Sequence, residues 1–317
     1  MDMLEWFQDF VALSETGHFS RAAEYRNITQ PAFSRRVRAL ENWVGAPLFS
    51  RDTHRAELTI AGEQFKPIVE EILLLAHVGR ELARNAAKTS AQTIHFASTH
   101  ALSIHFFPDW LRRIEERTSY RAIVNLMADN MAGCEQKVLR GEAQFLLCQH
   151  HPSATNALNP RRFLWLDIGE DRLVPVSKPA NAGNPQPLYA LPGSIERPAT
   201  HLAYSKGSGM GRIIAAARAI DAPTAWLSTI FTSHVVAVLV AMARSGRGLA
   251  WVPLSLVDHC LASGELVRAG DKQWDIPITT RIFRSRMRQS PAVEQFWKML
   301  LSVYQDRAVR SRSFDRL

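Results

Sequence analysis

Apolar residues in the first ninety positions recur at helical rather than strand spacing. Leu4, Phe7, Phe10, Val11 and Leu13 sit at three- and four-residue intervals and predict an amphipathic helix over 2–15, ended by Gly17. A second, short helix runs from Ser20 to about Arg26, where the small Ala22 and Ala23 permit close approach of another helix. A third starts after Thr29, a good N-cap, with Pro31 in the first turn, where its missing N–H would be unpaired anyway. Its apolar face is Phe33, Val37, Leu40 and Val44, at i, i+4, i+7 and i+11, and Gln30, Ser34, Arg35 and Arg38 fall away from that face. Gly45 closes it. Leu48 and Phe49 then anchor a loop, Arg51 to Arg55 make a polar tip, and AELTI reads as a short strand: a β-wing. Thr59 caps a long helix, about 60–87, whose apolar Phe65, Ile68, Val69, Ile72, Leu73, Leu75, Ala76 and Leu82 suit packing against another helix.

After the polar, small-residue stretch 84–92 (RNAAKTSAQ) the period changes. TIHFAST, AIVNLMA and AQFLLCQ read as strands, with helices over 108–117 and 131–140 between them. RLVPVS, HLAYS, LSTIFT, LAWVP and ITTRIFR follow as strands, with helices over 209–219, 234–245 and 291–304. This alternation predicts parallel sheets joined by crossover helices. The Pro/Gly/Asn-rich 178–198 reads as a surface excursion.

The length of 317 residues allows two or three domains, each with its own core. The longest strongly apolar run, VVAVLVAMA at 235–243, falls far short of the roughly 20 residues a membrane span needs, so no membrane partner is expected. The opening MDMLEWFQDF carries acids where a secretory signal carries a basic region, which places the chain in the cytoplasm. Cys134, Cys148 and Cys260, odd in number and widely spaced, fit reduced thiols. The net charge of +8 is a poor guide by itself, because residues 1–90 hold 11 Lys/Arg against 12 Asp/Glu. Within 19–55, however, seven arginines face only Glu24, Glu41 and Asp52, and a local stripe is the electrostatic feature that matters to a polyanion.

A short helix, a tight turn and a capped helix with an apolar back and a Gln/Ser/Arg front make a helix-turn-helix. The start of the third helix offers a positive dipole end to phosphates. Gln30 can pair with adenine and Arg35 with guanine in a major groove, while Arg36 and Arg38 serve phosphates or only solvent. Arg51, His54 and Arg55 on the wing are placed for the sugar-phosphate backbone or the minor groove. Three arginines alone would read as a solvated face; the preceding helix, turn and capped proline favour DNA.

The run FSRAAEYRNITQPAFSRRVRALENWVGAPLFSRDTHRAELTIAGEQF, Phe19 to Phe65, resembles the N-terminal signature of LysR-type transcriptional regulators. It departs slightly, with Thr29 where serine is common and Phe33 where leucine is common. The resemblance implies an α+β multidomain chain: a winged helix-turn-helix, a linker helix pairing two subunits, and a two-lobed α/β effector domain resembling periplasmic binding proteins. It implies a homodimer or homotetramer on double-stranded DNA, with RNA polymerase as a further partner. Carried over by position, Gln30, Pro31, Ser34 and Arg35 read the groove and Arg51 contacts from the wing, so the DNA-facing set is Thr29, Gln30, Pro31, Ser34, Arg35, Arg38, Arg51, His54 and Arg55. The boundaries expected are 1–59 for the DNA-binding domain, 60–92 for linker helix and hinge, 93–305 for the effector domain and 306–317 for a tail. Within the effector domain, lobe I takes 93–165 and 270–305 and lobe II takes 166–269.

Ligands of open α/β sheets lie beyond the carboxyl ends of strands. Three such ends carry hydroxyls: Ser98, Thr99, His100 and Ser103 after the first effector strand, Ser205, Ser208 and Met210 after HLAYS, and Thr232 and Ser233 at a third. They predict a small polar or anionic effector, although serine and threonine also cap helices for purely structural reasons. Gly207-Ser-Gly209-Met-Gly211 lacks the acid some 20 residues on that a dinucleotide would need, so no nicotinamide cofactor is expected. Cys148, His150 and His151 lack metal-ligand spacing, and no G-x-S-x-G elbow occurs; neither metal nor catalysis is expected. The segments HALSIHFFPDWL, SKGSGMGRII, GRGLAWVP and FRSRMRQSPAVEQFW resemble the hypochlorite-responsive branch of the family. That resemblance implies an oxidant sensed through methionine, with Met210 the candidate. The rival class is a cytoplasmic small-molecule-binding protein or enzyme whose N-terminal helices only mediate dimerisation.

Overall fold

The computed structural model describes residues 3–50, 55–87, 93–118, 121–181, 185–220 and 223–304. They form two compact units, the first made of residues up to 89 together with Leu139–Glu142 and the second of the remainder. The expected contacts of Arg51 and His54 and the 306–317 tail lie outside the described residues.

The first unit holds α1 (Met3–Thr16), α2 (Phe19–Tyr25), α3 (Gln30–Val44) and α4 (Ile60–Ala87). Left-handed residues make its corners: Gly17 (φ 68°) after α1, Asn27 (φ 54°) between α2 and α3, and Gly45 (φ 78°) after α3. Asn is among the few side chains that tolerate this conformation, which is how a four-residue corner fits between α2 and α3. Phe7, Phe10, Leu13, Ala22, Ala23, Phe33, Val37 and Leu40 form one core, joined by Leu48, Phe49 and Val69. The wing is minimal. Phe49 bridges Leu58, Ser50 N donates to Glu57 O at 2.8 Å and Thr59 N to Leu48 O at 3.0 Å. Thr59 Oγ1 accepts from Gly62 N at 3.1 Å, capping α4, and itself donates to Pro47 O at 2.7 Å.

The second unit starts with β1 (Thr93–Thr99), α5 (His100–His105), α6 (Phe107–Thr118), β2 (Ile123–Asp129), α7 (Met131–Leu139), β3 (Phe145–His150) and β4 (Phe163–Ser177). It continues through β5 (Ala199–Tyr204), α8 (Gly209–Ile220), β6 (Leu227–Ser233), α9 (Val236–Arg244), β7 (Ala250–Pro253), α10 (Leu254–Ser263) and β8 (Val267–Arg268). A 3-10 turn at Lys272–Trp274 leads into β9 (Ile276–Ser285) and α11 (Pro291–Val303). One sheet orders its strands β2-β1-β3-β9-β4-β7, with β8 also on β4, and β5 pairs with β6 in a second.

The sheets are not parallel throughout, as alternation alone predicts. β1 runs parallel to β2 and β3, and β5 to β6, but β9 is antiparallel to both β3 and β4. The reason is connectivity. β4 carries the chain out of one core and β9 carries it back, so the two neighbours must run in opposite directions. Leu166, Ile168 and Ile282 pack in the core with Phe96, Phe145 and Phe296. Further along the same two strands, Leu173, Ile276 and Ile278 pack with Met210 and Trp251, and Val174 and Val176 with Leu202 and Leu239. RLVPVS is therefore the end of a 15-residue strand. No described helix is long and apolar enough to cross a membrane.

Candidate nucleic-acid interface and ligand cleft

On α3 the apolar back is buried, with Phe33 and Leu40 at 0% exposure, while Thr29, Gln30, Pro31, Arg35 and Arg38 are exposed and Ser34 half-buried. Among the described residues Arg35 and Arg38 have no ion-pair partner. Arg36, one residue from Arg35, is already committed. It lies 2.8 Å from Glu5 and 3.5 Å from the buried Asp9, with its side chain partly exposed. Thr29 occupies the N-cap position with an extended backbone, but its side chain makes no capping bond, contrary to the expectation for a threonine there. A groove of ≈ 430 Å³ runs beside α3, with Gln30, Ser34 and Arg38 on one wall and Gly17, Ser20 and Ser50 opposite. Arg55 is exposed, and its side chain crosses Gly17, where a Cβ would stand 2.5 Å from Arg55 Nε.

Glu41 is the residue that sequence reasoning missed. It is a charge on an amphipathic helix, yet it is 9% exposed and its Oε1 accepts from Leu48 N at 2.8 Å and Phe49 N at 3.2 Å. A carboxylate binding two loop amides holds the base of the wing against α3. The only sequence signal is an acid seven residues before an apolar pair.

In the second unit a small cleft opens where the strand ends of the two cores converge. It is lined by Thr99 and His100 from the end of β1, Asp129 to Met131 at the β2–α7 junction, Gln149, Tyr204, Ser208 to Met210 and His234. Of the expected effector residues, Thr99, His100, Ser208 and Met210 meet there. Ser98, Ser103, Ser205, Thr232 and Ser233 are not on its wall. Ser98 is fully buried, Ser103 Oγ donates back to His100 O at 2.8 Å, and Ser233 Oγ accepts from Val235 N at 3.1 Å. These are local turn bonds. Ser205 gives its backbone to Ser233 O at 3.1 Å, and Thr232 is exposed.

Two helices begin at the cleft, α7 and α8. Asn130 caps the first by accepting from Gly133 N at 3.0 Å. Their starts approach so closely that a Cβ on Gly209 would lie 3.2 Å from Met131 Cβ. Thr99 Oγ1 donates to Gln149 Oε1 at 3.2 Å, and the rings of His100 and His234 face each other at 5.7 Å. Burial pushes the Asp129 carboxyl up, but the 2.5 Å bond from Lys137 Nζ, the Asn130 amide and the Lys137 charge outweigh it and leave the group below its ordinary range. Tyr204 is only partly buried as a residue, but its hydroxyl is shut off from solvent without a hydrogen-bond partner, and burial pushes its pKa up. The cavity measures ≈ 30 Å³, room for about one or two waters. An orphaned hydroxyl and two helix starts give it the chemistry to hold something small and polar.

No cysteine is on the wall of the cleft. All three cysteines are buried, and burial pushes Cys134 up to about 12 and raises Cys148 and Cys260. Thiolates, the reactive form, are scarce at neutral pH. Among the described residues no group of three His, Cys, Asp or Glu is arranged to hold a metal.

Comparison with known proteins matches two stretches of the chain to family models. Residues 4–63 match the model for the bacterial regulatory helix-turn-helix protein, lysR family, and residues 87–305 match the LysR substrate binding domain. The chain is 28% identical over 301 residues to the HTH-type transcriptional regulator YjiE of Escherichia coli K12, covering 93% of each chain. Full-length HypT from Salmonella typhimurium, described as a hypochlorite-specific LysR-type transcriptional regulator, is similar at TM-score 0.56 and 28% identity, over 96% of this chain and 99% of that one. DarR of Vibrio fischeri, solved in complex with DNA, is similar at TM-score 0.53 and 27% identity, over 95% and 98%.

Proposed function

The chain belongs to the lysR family of bacterial regulatory proteins, and on that premise we propose a homo-oligomeric, cytoplasmic regulator whose effector half answers to a small polar molecule or an oxidant. It is a LysR-type transcriptional regulator: the first unit binds DNA and the second binds the effector. It acts by binding, not turnover, a reading supported by relatives named as transcriptional regulators. The working division is residues 1–59 for DNA, 60–92 for the linker helix and hinge, and 93–305 for the effector domain, with the lobes exchanging near 165 and 270.

The observation that carries the DNA reading is the front of α3, where Gln30, Arg35 and Arg38 are exposed above a buried Phe33–Leu40 back. In a major groove that front reads base edges through Gln30, Ser34 and Arg35, while Arg38 fixes position on phosphates. Exposed Ile68 and Leu75, seven residues apart on α4, supply an apolar stripe for a second copy. A mobility shift against the region upstream of its own gene, at stated salt and with nonspecific competitor, tests this; retardation that competitor abolishes equally for all sequences defeats it.

The effector reading rests on the ≈ 30 Å³ cleft and the unpartnered Tyr204 hydroxyl. A cavity of that size favours a small anion or a chemical event over a metabolite. Met210 and Met131 flank it, whereas no cysteine is on its wall. Hypochlorite would transfer its oxygen to the Met210 thioether, giving sulfoxide and chloride. The polar sulfoxide then disfavours the packed α7–α8 junction and biases the arrangement of the lobes.

A further inference from the structure

A second cavity in the effector unit, ≈ 280 Å³ in volume, shares no lining residue with the cleft. Its walls include Arg218 near the end of α8, Trp251 of β7, Trp274 of the 3-10 turn, and Ile276 and Pro277 opening β9. Arg218 lies nine residues along α8 from the cleft end at Gly209, roughly 13 Å at 1.5 Å per residue.

Arg218 is an unsettled cation. Its Cζ stands 5.1 Å from the Trp251 ring centroid, but its Nε is shut off from solvent without a hydrogen-bond partner. Among the described residues no carboxylate pairs with it. Asp275, the acid on the cavity wall, already meets Arg268 and lies 3.8 Å from Arg172. Asp271 is engaged in capping the 3-10 turn through Gln273 N. Burial lowers the Arg218 pKa, and burial followed by the Arg218 charge holds His201, packed on Trp251, down to about 4, so the histidine stays neutral. The aromatic platform is fixed. Trp251 is 1% exposed and donates Nε1 to Trp274 O at 3.0 Å. A guanidinium with a desolvated, unmatched N–H is costly to keep unless something supplies an acceptor. A carboxylate does so in the bidentate geometry that the guanidinium fork favours.

We propose that this cavity is a second ligand site, distinct from the cleft, for a small aromatic monocarboxylate. The carboxylate meets Arg218, and the ring lies on the apolar surface of Trp274, Ile276 and Pro277. One unmatched cation calls for one negative charge, and a cavity at the lower edge of ordinary ligand pockets limits the molecule to about one ring. Because α8 starts at the cleft and carries Arg218 near its other end, occupancy here bears on the same helix. The site does not depend on the DNA-binding reading.

The test is calorimetric titration of the full chain with benzoate as probe, at constant ionic strength, beside benzyl alcohol and chloride. Saturable binding of benzoate, with neither comparator binding, is expected. Arg218→Gln should weaken it about tenfold or more, and Tyr204→Phe in the cleft should leave it intact. If Arg218→Gln does not fold, Arg218→Lys, which keeps the charge and loses the fork, takes its place and should weaken benzoate measurably. Absence of benzoate binding, equal binding of benzyl alcohol, affinity untouched by the arginine substitution, or loss in Tyr204→Phe each overturns the proposal, the last by moving the ligand to the cleft.

Discussion

Asp9 Oδ1 accepts from Arg26 Nε at 2.7 Å while its second oxygen faces Arg36 Nη1 at 3.5 Å, with the aspartate side chain fully buried. One carboxylate in α1 thus ties down α2 and α3, and it sorts the arginines of this unit into two groups. Arg26 and Arg36 are tied into the fold; Arg35 and Arg38 have no ion-pair partner among the described residues.

That sorting makes the first prediction. Asp9→Ala, which takes its ion-pair partner from Arg26 and leaves Arg36 with Glu5 alone, should lower stability by about 1.5–3 kcal/mol. Arg35→Ala and Arg38→Ala should change it by no more than about 0.5 kcal/mol. Urea unfolding of each variant, followed by circular dichroism, checks the contrast; equal losses at Arg35 and Asp9 would mean that Arg35 is structural.

Arg212 of α8 places Nη1 2.9 Å from both carboxylate oxygens of Glu135 on α7, and Glu135 also accepts from Ala157 N at 2.9 Å. Glu135 is 3% exposed. Removing Arg212 leaves a buried charge with only an amide, so Arg212→Ala should cost about 3–5 kcal/mol. Arg212→Met with Glu135→Gln should recover much of it, with a coupling of about 0.5–3 kcal/mol in a double-mutant cycle. A cycle without coupling removes this pair as the link between α7 and α8.

Stability should fall with acid in a defined window. Burial, helped by the Arg281 charge, pushes His150 down to about 4, and His201 is likewise held at about 4. Unfolded histidine titrates near 6.5, so between pH 6.5 and 4 the unfolded chain takes up protons that the folded chain refuses. The histidine contribution is complete above about 6.5 and lost as pH falls toward 4. Glu294, held below its ordinary range chiefly by the Arg284 hydrogen bond, contributes only at lower pH. Melting temperature against pH should therefore flatten between 6.5 and 4 in a His150→Gln, His201→Gln double variant; an unchanged slope contradicts this.

For the oxidant, Met210→Gln places a polar side chain where sulfoxide would form. It should shift DNA affinity without oxidant and abolish any further response to hypochlorite, measured by fluorescence anisotropy. Unchanged affinity together with an unchanged response removes Met210 as sensor.

The helical unit was largely legible in the sequence because its signals are local. Phe33, Val37 and Leu40 mark one face of α3, and Gly17 and Gly45 mark its corners. What escaped was decided by residues far apart in the chain. Arg35 and Arg36 look equivalent in a charge run, and only the 100° turn between them, with Glu5 and Asp9 waiting on α1, separates them. Glu41 read as surface charge because its partners are amides, which leave no mark in a sequence. At the cleft, hydroxyl-rich strand ends drew notice, but Ser98, Ser103 and Ser233 spend their hydroxyls locally. Asp129, Asn130, Gln149 and Tyr204 reach the cleft through sheet order. The antiparallel β4–β9 pair was hidden for the same reason: alternation shows that strands and helices follow one another, not which strands become neighbours.

The most direct test of the account is the base preference of Arg35→Ala against wild type, read by quantitative binding to all single substitutions of the operator, with Arg38→Ala alongside. The account predicts a loss of about 1–3 kcal/mol for Arg35→Ala, with preference relaxed at one base position. Arg38→Ala should instead weaken all sequences alike and reduce the salt slope by about 1. Binding by Arg35→Ala with unaltered affinity and base preference would show that the front of α3 does not enter the groove.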